Sequence, residues 1–197
     1  IAAAPFGSEA PDMQVLAVCT ANLCRSPTAA ALLQRHLRAA GTEVTARSTG
    51  LMGVGGPIPP PIVEELARLG ASPEDAARVL LTEVAVRDAD LIIGLERQHV
   101  REVILLAPDV EARAFTLKEL ARRGERAGPA SPTVPLAGWL GALAAARQPA
   151  DLLGESSSDD VADPYGGSRR GYRRAVTEID ELTGRVARLL AGRGGRA

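Results

Sequence analysis

The sequence predicts an α/β fold in which a parallel sheet of four strands is flanked by helices. Short apolar runs with the length of buried strands alternate with segments of helical periodicity up to residue 116. At least one predicted helix separates each strand from the next, and this alternation is typical of a parallel sheet with right-handed crossovers.

The predicted strands follow from hydrophobic patterning. The first and third are continuous apolar runs expected to be buried, and the second alternates between apolar and polar residues. The four strands are residues 14–18, 43–48, 90–95 and 112–116.

The first helix is predicted over residues 26–40, because Ser26 is a good N-cap, Pro27 is a good first helical residue and Gly41 is a good C-cap. The remaining helices have apolar positions at helical spacing, and the last one has a continuous apolar face. They are residues 62–69, 82–87, 97–106, 117–123, 137–147 and 168–190, with a further helix start at 72–75.

The length is that of one domain, which we place at residues 13–191. Residues 1–12 are interpreted as an N-terminal extension without a structural role, and residues 192–197 as a flexible tail. Residues 117–160 form an insertion whose loops are rich in Gly, Pro, Ser and Asp, so we expect part of it to be mobile. Trp139 is expected to pack a small helix of this insertion against the domain.

Composition excludes several classes of function. The formal net charge is -1, which gives no basic excess for nucleic-acid binding. No apolar run approaches the ~20 residues of a membrane span, and residues 1–12 lack the pattern of a signal peptide. The two cysteines make no disulfide framework, and with His36 and His99 they lack the spacing of a structural zinc site. We therefore expect a cytoplasmic protein without nucleic-acid or membrane partners.

The most informative stretch is CTANLCRSP at residues 19–27, between the first strand and the first helix. In such a loop, backbone N–H groups and a helix N-terminus converge on one point, which suits an oxyanion such as phosphate. Cys19 opens the loop and Arg25 closes it. A thiolate is a good nucleophile towards phosphorus, and a guanidinium matches two phosphoryl oxygens in one plane.

This loop predicts nucleophilic catalysis. Cys19 would attack the phosphorus and form a cysteinyl-phosphate that water then releases. Ser26 can donate a hydrogen bond to the sulfur, and preorganised N–H donors would stabilise the transition state. The leaving group needs a proton, and Asp163, which lies in a polar loop before Pro164, is a candidate acid.

Four motifs occur in the order found in the low-molecular-weight protein tyrosine phosphatases, a family that the chain resembles. The motifs are VCTANLCRSP at 18–27, STG at 48–50, DLII at 90–93 and DPYG at 163–166. The resemblance implies a three-layer fold with a four-stranded parallel sheet, the Rossmann-like phosphotyrosine phosphatase I fold. It also implies no metal or other cofactor, a phosphotyrosine-containing protein as substrate and inorganic phosphate as product.

The resemblance assigns a role to each site residue. Cys19 is the implied nucleophile, Arg25 the phosphate binder and Asp163 the general acid and then base. Ser26 would assist Cys19, and Asn22 would hold the shape of the loop. The implied phosphate-binding positions besides Arg25 are Thr20, Ala21, Asn22, Leu23, Cys24 and Ser26, and the implied pocket wall consists of Leu51 and Tyr165.

The chain departs from the family pattern at three places. Ala21 stands where the family usually has Gly, and if that position has a positive φ, alanine costs roughly 1 kcal/mol there. Asp75 stands where the family often has a His that supports Asn22. The loop after Gly50 lacks the usual aromatic residue, so we expect Tyr165 to carry selectivity for aromatic substrates.

Several other residues have structural interpretations. Cys24 either packs beneath the loop or forms a reversible disulfide with Cys19. His36 is expected to be a satisfied core residue of the first helix, and His99 to be solvated. The arginines at 169–170 and 173–174 are expected to face solvent, where they could attract an acidic phosphoprotein.

Three functions remain open from the sequence. Hydrolysis of phosphotyrosine in proteins is the leading one. Hydrolysis of phosphoarginine on the same scaffold ranks lower, because enzymes of that kind resemble CTGNTC, and Leu23 here replaces their second Thr. A non-catalytic module that binds phosphoproteins is the third, motivated by the departures at Ala21 and Asp75. Arsenate reduction is discounted, since no cysteine follows Cys24 to relay an oxidation.

Overall fold

A computed structural model describes residues 13–53, 56–73 and 79–191. Its strands are β1 (Met13–Cys19), β2 (Val44–Gly50), β3 (Leu91–Gly94) and β4 (Ala114–Thr116). All neighbouring strands are parallel, in the order β2-β1-β3-β4. The predicted fold class is confirmed, although β4 is shorter than predicted because a 3-10 helix occupies Pro108–Arg113.

The helices occur where the apolar periodicity predicts them. The predicted helix start at 72–75 lies partly outside the described residues, and the assignments for residues 1–12 and 192–197 lie wholly outside them. The helices are α1 (Arg25–Ala39), α2 (Pro60–Arg68), α3 (Glu83–Asp88), α4 (Arg97–Leu106), α5 (Leu117–Ala127), α6 (Leu136–Ala145) and α7 (Arg169–Leu190).

The sheet buries a different set of side chains on each face, because successive residues of a strand point to opposite sides. On β1, Val15 and Ala17 belong to the core that also contains residues of α1 and α7. Leu16 and Val18 belong to a second core formed with α3 and α4. Helices therefore cover both faces, and the fold has three layers.

The longest helix, α7, has 22 residues and packs against α1 along its buried apolar face. Its N-cap is Ser168, whose Oγ accepts a hydrogen bond from the N–H of Gly171 at 3.2 Å. In the described part of the chain, no helix is long and apolar enough to cross a membrane.

The insertion is packed against the domain at α6. Trp139 is buried, as predicted, and its Nε1–H donates to the carbonyl oxygen of Gly128 at 3.1 Å. Arg147 is also buried, with its Nε and Nη2 each 3.0 Å from an oxygen of Glu119 and its guanidinium 4.8 Å from the ring centroid of Phe115. These contacts fasten α6 to α5 and β4.

β1 has β2 on one side and β3 on the other, so the direction in which successive strands are added to the sheet reverses at β1. Ligands of open α/β sheets bind outside the carboxyl ends of the strands at such a switch point. Cys19 ends β1 there, and the N–H of Leu95, directly after β3, donates to the carbonyl oxygen of Val18 at 3.0 Å. The loops that follow β1 and β3 therefore meet at one edge.

Candidate active site

The loop that joins β1 to α1 makes one sharp left-handed turn. Asn22 has a φ of 52°, and among the described residues it is the only one other than glycine with a positive φ. Asparagine tolerates this region because its short polar side chain can hydrogen-bond locally. Ala21 is therefore not in the left-handed region, and the strain anticipated for alanine at this position does not arise.

The end of β2 supports the loop through close backbone contact. A Cβ atom added to Gly50 would lie 2.8 Å from the backbone N of Asn22 and 2.9 Å from the carbonyl C of Ala21, so no side chain fits there. Just beyond β2, the N–H of Met52 donates to the carbonyl oxygen of Thr20 at 2.8 Å. The glycine of the STG motif thus allows β2 to approach the loop.

The hydroxyl of Ser26 lies at the centre of the loop and is fully buried. Its Oγ is 2.9 Å from the Sγ of Cys19, 2.9 Å from Oδ1 of Asn22 and 3.1 Å from the carbonyl oxygen of Thr49. A hydroxyl has one proton, so it donates to one of these acceptors at a time. The prediction that Ser26 caps the first helix is wrong, since α1 begins at Arg25 and the Ser26 side chain faces the loop instead.

Asn22 is held from two directions. Besides its contact with Ser26, its Nδ2 donates to the carbonyl oxygen of Ser48 at 3.3 Å. Asp75, which replaces the supporting His of the family, lies outside the described residues. The described contacts therefore already fix the Asn22 side chain between α1 and β2.

Arg25 is 3% exposed, and its guanidinium joins four groups. Nη1 pairs with the carboxylate of Glu96 and donates to the carbonyl oxygen of Val161 at 3.0 Å. Nη2 donates to Oγ1 of Thr20 at 3.3 Å and to Oδ2 of Asp163 at 3.0 Å. Because these partners come from three separate loops, the orientation of the guanidinium is fixed by the tertiary structure.

Asp163 lies at the open side of the site, with 46% of its side chain exposed. Its Oδ1 accepts a hydrogen bond from the N–H of Tyr165 at 3.1 Å, a local turn that orients the carboxylate. Tyr165 is 63% exposed, and Leu51, the other predicted wall residue, is half-buried. The structure thus brings Asp163 next to Arg25, which is itself in the loop that contains Cys19.

The second cysteine, Cys24, has a thiol that stays protonated. Burial, together with the negative charges of Asp163 and Cys19, raises the pKa of the Cys24 thiol to about 12, although Arg25 acts in the opposite direction. Cys24 is therefore a neutral thiol at neutral pH. Leu23 and Cys24 are each 4% exposed and belong to the core beneath the loop.

His99 is fully buried, so the prediction that it is solvated is wrong. Its Nε2 is 3.1 Å from Oγ1 of Thr20 and 3.4 Å from Oε2 of Glu96, and its Nδ1 has no hydrogen-bond partner. Burial and the nearby charges of Arg25 and Arg101 lower the pKa of His99 to about 3. The ring is therefore neutral at neutral pH.

Sequence reasoning missed both His99 and Glu96. The signal for His99 was its position with Val100 and Val103 on the buried face of α4. The signal for Glu96 was its place just after β3, next to the strand that ends at Cys19. Glu96 contacts both Arg25 and His99, so it links the two loops.

His36 and Arg169 pair with carboxylates outside the loop between β1 and α1. His36 is satisfied, as expected, but it is half-buried between α1 and α7 with its Nε2 2.8 Å from Oδ1 of Asp180. The arginines at the start of α7 are exposed, and Arg169 pairs with Glu64 at 2.7 Å. Within the ranges that the structure describes, no group of three or more His, Cys, Asp or Glu side chains could hold a metal ion.

Comparison with known proteins places this geometry in a family. The family described as "Low molecular weight phosphotyrosine protein phosphatase" has a sequence profile that matches residues 14–128. The chain is 27% identical to the protein-arginine-phosphatase of Bacillus subtilis over 179 residues, which is 90% of this chain and 97% of that protein. It is 34% identical to the low molecular weight protein-tyrosine-phosphatase Etp of Escherichia coli over 102 residues, which is 51% of this chain and 66% of that protein.

Solved structures show the same relationship. A YwlE mutant from Bacillus subtilis superposes with a TM-score of 0.66 at 26% identity, covering 89% of this chain and 97% of that one. The low molecular weight protein tyrosine phosphatase from T. tengcongensis has a TM-score of 0.65 at 26% identity, covering 88% and 97%. The profile match confirms the family that the four motifs predict and its enzyme class, the phosphoric monoester hydrolases. The chain belongs to the low-molecular-weight phosphotyrosine protein phosphatase family.

Proposed function

We propose that this protein hydrolyses phosphotyrosine monoesters in proteins through a cysteinyl-phosphate intermediate. One observation carries the proposal: a thiol, a guanidinium and a carboxylate meet at the carboxyl end of β1. The Sγ of Cys19 is 2.9 Å from the hydroxyl of Ser26, and Asp163 is 3.0 Å from the Arg25 guanidinium at the other end of the same loop.

The substrate's phosphoryl group would occupy the loop between Cys19 and α1. Backbone N–H groups of the loop and the N-terminus of α1 would bind its oxygens, and Arg25 would bind two of them with its planar fork. Nη2 of Arg25 donates to the Asp163 carboxylate in this structure, so we expect a phosphoryl oxygen to replace that carboxylate as the acceptor. The proposed phosphate-binding positions besides Arg25 are Thr20, Ala21, Asn22, Leu23, Cys24 and Ser26.

Cys19 would act as the nucleophile. Its sulfur attacks the phosphorus, the bond between phosphorus and the phenolic oxygen breaks, and a cysteinyl-phosphate forms. The Ser26 hydroxyl donates to the sulfur, so it stabilises the thiolate before attack and again when the thiolate leaves in the second step.

Asp163 would serve as acid and then as base. In the first step it gives its proton to the departing phenolic oxygen, and in the second step its carboxylate removes a proton from the attacking water. Its half-exposed position at the open side of the loop supports this role, because both the leaving group and the water arrive from that side. Leu51 and Tyr165 are proposed as the walls that contact the aromatic ring.

Hydrolysis of phosphoarginine in proteins is the second candidate. The match to the protein-arginine-phosphatase extends over 90% of this chain, against 51% for Etp. Leu23 favours phosphotyrosine, because its apolar side chain brings no hydroxyl to bind a guanidinium N–H. A third candidate, a non-catalytic module that binds phosphoproteins, loses part of its motivation, since Ala21 is not strained and Asn22 is held by Ser26 and Ser48.

Matched phosphotyrosine and phosphoarginine peptides with identical flanking residues test these candidates, with phosphate release as the readout. We expect kcat/KM to be at least ~100-fold higher for phosphotyrosine and to be abolished by Cys19→Ser. A preference for phosphoarginine would overturn the leading proposal in favour of the second. Binding of either peptide without hydrolysis would favour the binding module.

Position 23 allows a matched pair of variants. Leu23→Thr and Leu23→Val remove similar volume, and Leu23→Thr alone introduces a hydroxyl. We expect Leu23→Thr to raise activity on the phosphoarginine peptide relative to Leu23→Val. Equal activity of the two variants on that peptide would show that position 23 does not select the substrate.

We also propose a cytoplasmic location, with phosphoproteins as substrates and inorganic phosphate as the product. Both cysteines are free, and a thiol nucleophile needs the reducing conditions of that compartment. The net charge of -1 supports the absence of a nucleic-acid partner.

A further inference from the structure

We propose that Arg97 and Asp159 form a clamp that holds Asp163 in position for proton transfer. The clamp acts on residues 153–163, called the acid segment below, which leads from the insertion to Asp163. This inference rests on the proposed function, because it concerns where the general acid stands. Arg97 and Asp159 are positioning residues and touch no reacting atom.

Arg97, the first residue of α4, contacts the acid segment at three points. Its Nε donates to Oδ2 of Asp159 at 2.8 Å, its backbone N–H donates to Oδ1 of Asp160 at 2.7 Å, and its Nη1 donates to the carbonyl oxygen of Leu153 at 2.9 Å. The Glu96 side chain does not cap α4, so the Asp160 carboxylate supplies the acceptor at this helix N-terminus. One residue thus ties the acid segment to the start of α4.

Asp159 extends the clamp to a second helix. It is 4% exposed, and its other carboxylate oxygen accepts a hydrogen bond from Nη2 of Arg122, on α5, at 2.8 Å. A buried carboxylate between two arginines is held in one orientation, because moving it would leave a desolvated charge without a partner. The acid segment is therefore fastened to α4 and α5 four residues before Asp163.

Between the clamp and Asp163, the chain has little freedom. Val161 is fully buried, its N–H donates to the carbonyl oxygen of Leu95 at 2.8 Å, and its own carbonyl oxygen accepts from Arg25 at 3.0 Å. The chain is therefore held at Asp159 and again at Val161, four and two residues before Asp163.

The opposite side of the acid segment offers less support. A cavity of about 950 Å³ lies between this segment and α7, and Asp163, Pro164 and Arg174 are among its lining residues. Because this space is open, packing against α7 does not fix the segment there. Besides the direct contact of Asp163 with Arg25, the position of this segment then depends on the polar contacts made from the side of α4 and α5.

The test compares two substrates that differ in their need for an acid. Phenyl phosphate has a poor leaving group that must be protonated, whereas 2,4-dinitrophenyl phosphate has a leaving group that departs as the anion. We expect Arg97→Met to lower kcat/KM about 10-fold for phenyl phosphate and less than about 2-fold for the dinitrophenyl ester. Arg97→Lys should recover part of the loss. Arg87→Met is the control, because it removes an exposed arginine whose ion-pair partners, Glu83 and Asp109, lie outside the acid segment.

Asp163→Asn separates failure of the clamp from failure of the proposed function. If Asp163→Asn does not lose activity selectively on phenyl phosphate, the role of Asp163 as general acid is wrong. If Asp163→Asn does lose activity selectively on phenyl phosphate, but Arg97→Met lowers kcat/KM equally for both substrates or for neither, the proposed clamp is wrong. If circular dichroism shows that Arg97→Met does not fold, Asp159→Asn replaces it, because it keeps the shape of the side chain and removes its charge. We expect the same larger loss of kcat/KM on phenyl phosphate than on the dinitrophenyl ester.

Discussion

The hydroxyl oxygen of Ser26 lies 2.9 Å from the sulfur of Cys19, seven residues earlier in the chain. Ser26 belongs to the first turn of α1, and Cys19 is the end of β1, so this contact closes the loop between β1 and α1 across its base. The same hydroxyl contacts Asn22 and the carbonyl oxygen of Thr49. Ser26 therefore links the proposed nucleophile to the residue with the left-handed backbone.

We expect Ser26→Ala to lower kcat/KM for p-nitrophenyl phosphate by roughly 10- to 100-fold, because a hydrogen bond to a charged group contributes about 1.5–3 kcal/mol. Steady-state kinetics at constant pH measure the effect. Ser131→Ala, at a hydroxyl that contacts Thr133 between α5 and α6, is the control and should leave kcat/KM unchanged. Activity of Ser26→Ala within 2-fold of wild type would show that the contact is not used.

Gly50 predicts a steric effect on the same loop. The Cβ of Gly50→Ala would lie 2.8 Å from the backbone N of Asn22, so the loop or β2 must shift. We expect kcat/KM to fall by about 10-fold or more and the free energy of unfolding by about 1–3 kcal/mol. The matched control is Gly141→Ala on α6, where a Cβ meets nothing within 4 Å, and this change should be neutral or slightly stabilising. Wild-type activity in Gly50→Ala would contradict the proposed role of the close backbone contact.

His99 predicts how stability depends on pH. Its pKa is lowered to about 3 by burial, with Arg25 and Arg101 contributing, whereas an unfolded histidine has a pKa of ~6.5. The unfolded state therefore binds more protons between these values, so the contribution of His99 is present above pH ~6.5 and is lost as the pH falls towards the folded pKa. Between pH 7 and pH 5, we expect wild type to lose about 2 kcal/mol more unfolding free energy than His99→Gln.

Urea unfolding at the two pH values measures this difference. Asp109→Asn serves as the control, because it removes the carboxylate of an exposed ion pair with Arg87, far more accessible than His99. Equal losses for wild type and His99→Gln would show that His99 is not the group whose protonation destabilises the fold.

The raised pKa of Cys24 predicts how the site responds to oxidation. Resolution of an oxidised Cys19 requires a thiolate as the attacking sulfur, and a thiol with a pKa of about 12 supplies very little at neutral pH. We expect wild type and Cys24→Ala to lose activity at similar rates in peroxide and to recover equally little after dithiothreitol. Recovery of wild type alone would instead support Cys24 as the redox partner of Cys19, the alternative that its proximity in sequence raises.

Much of the fold could be predicted because its signals are local. The apolar runs of β1 and β3 and the helical spacing of α7 each lie within one element, and their lengths distinguish strands from helices. A prediction was wrong where the side chain of one residue could serve either the helix or the loop. Ser26 has the side chain of a helix cap, but its hydroxyl finds three acceptors inside the loop, and this outcome depends on β2 lying beside it.

The sequence by itself determined the strand, loop and helix that contain Cys19 and Arg25, because residues 19–25 are consecutive and the pattern lies within one short segment. Only the tertiary structure decided what surrounds them. Glu96 reaches Arg25 across 71 residues because the strand order puts the loops after β1 and β3 at one edge. Asp163 reaches it across 138 residues because the segment before α7 binds the loop after β3, where the N–H of Val161 donates to Leu95. His99 is buried for the same reason: α4 begins where β3 ends, directly against Thr20. Burial and charge pairing depend on packing between distant segments, and no pattern within a single segment contains that information.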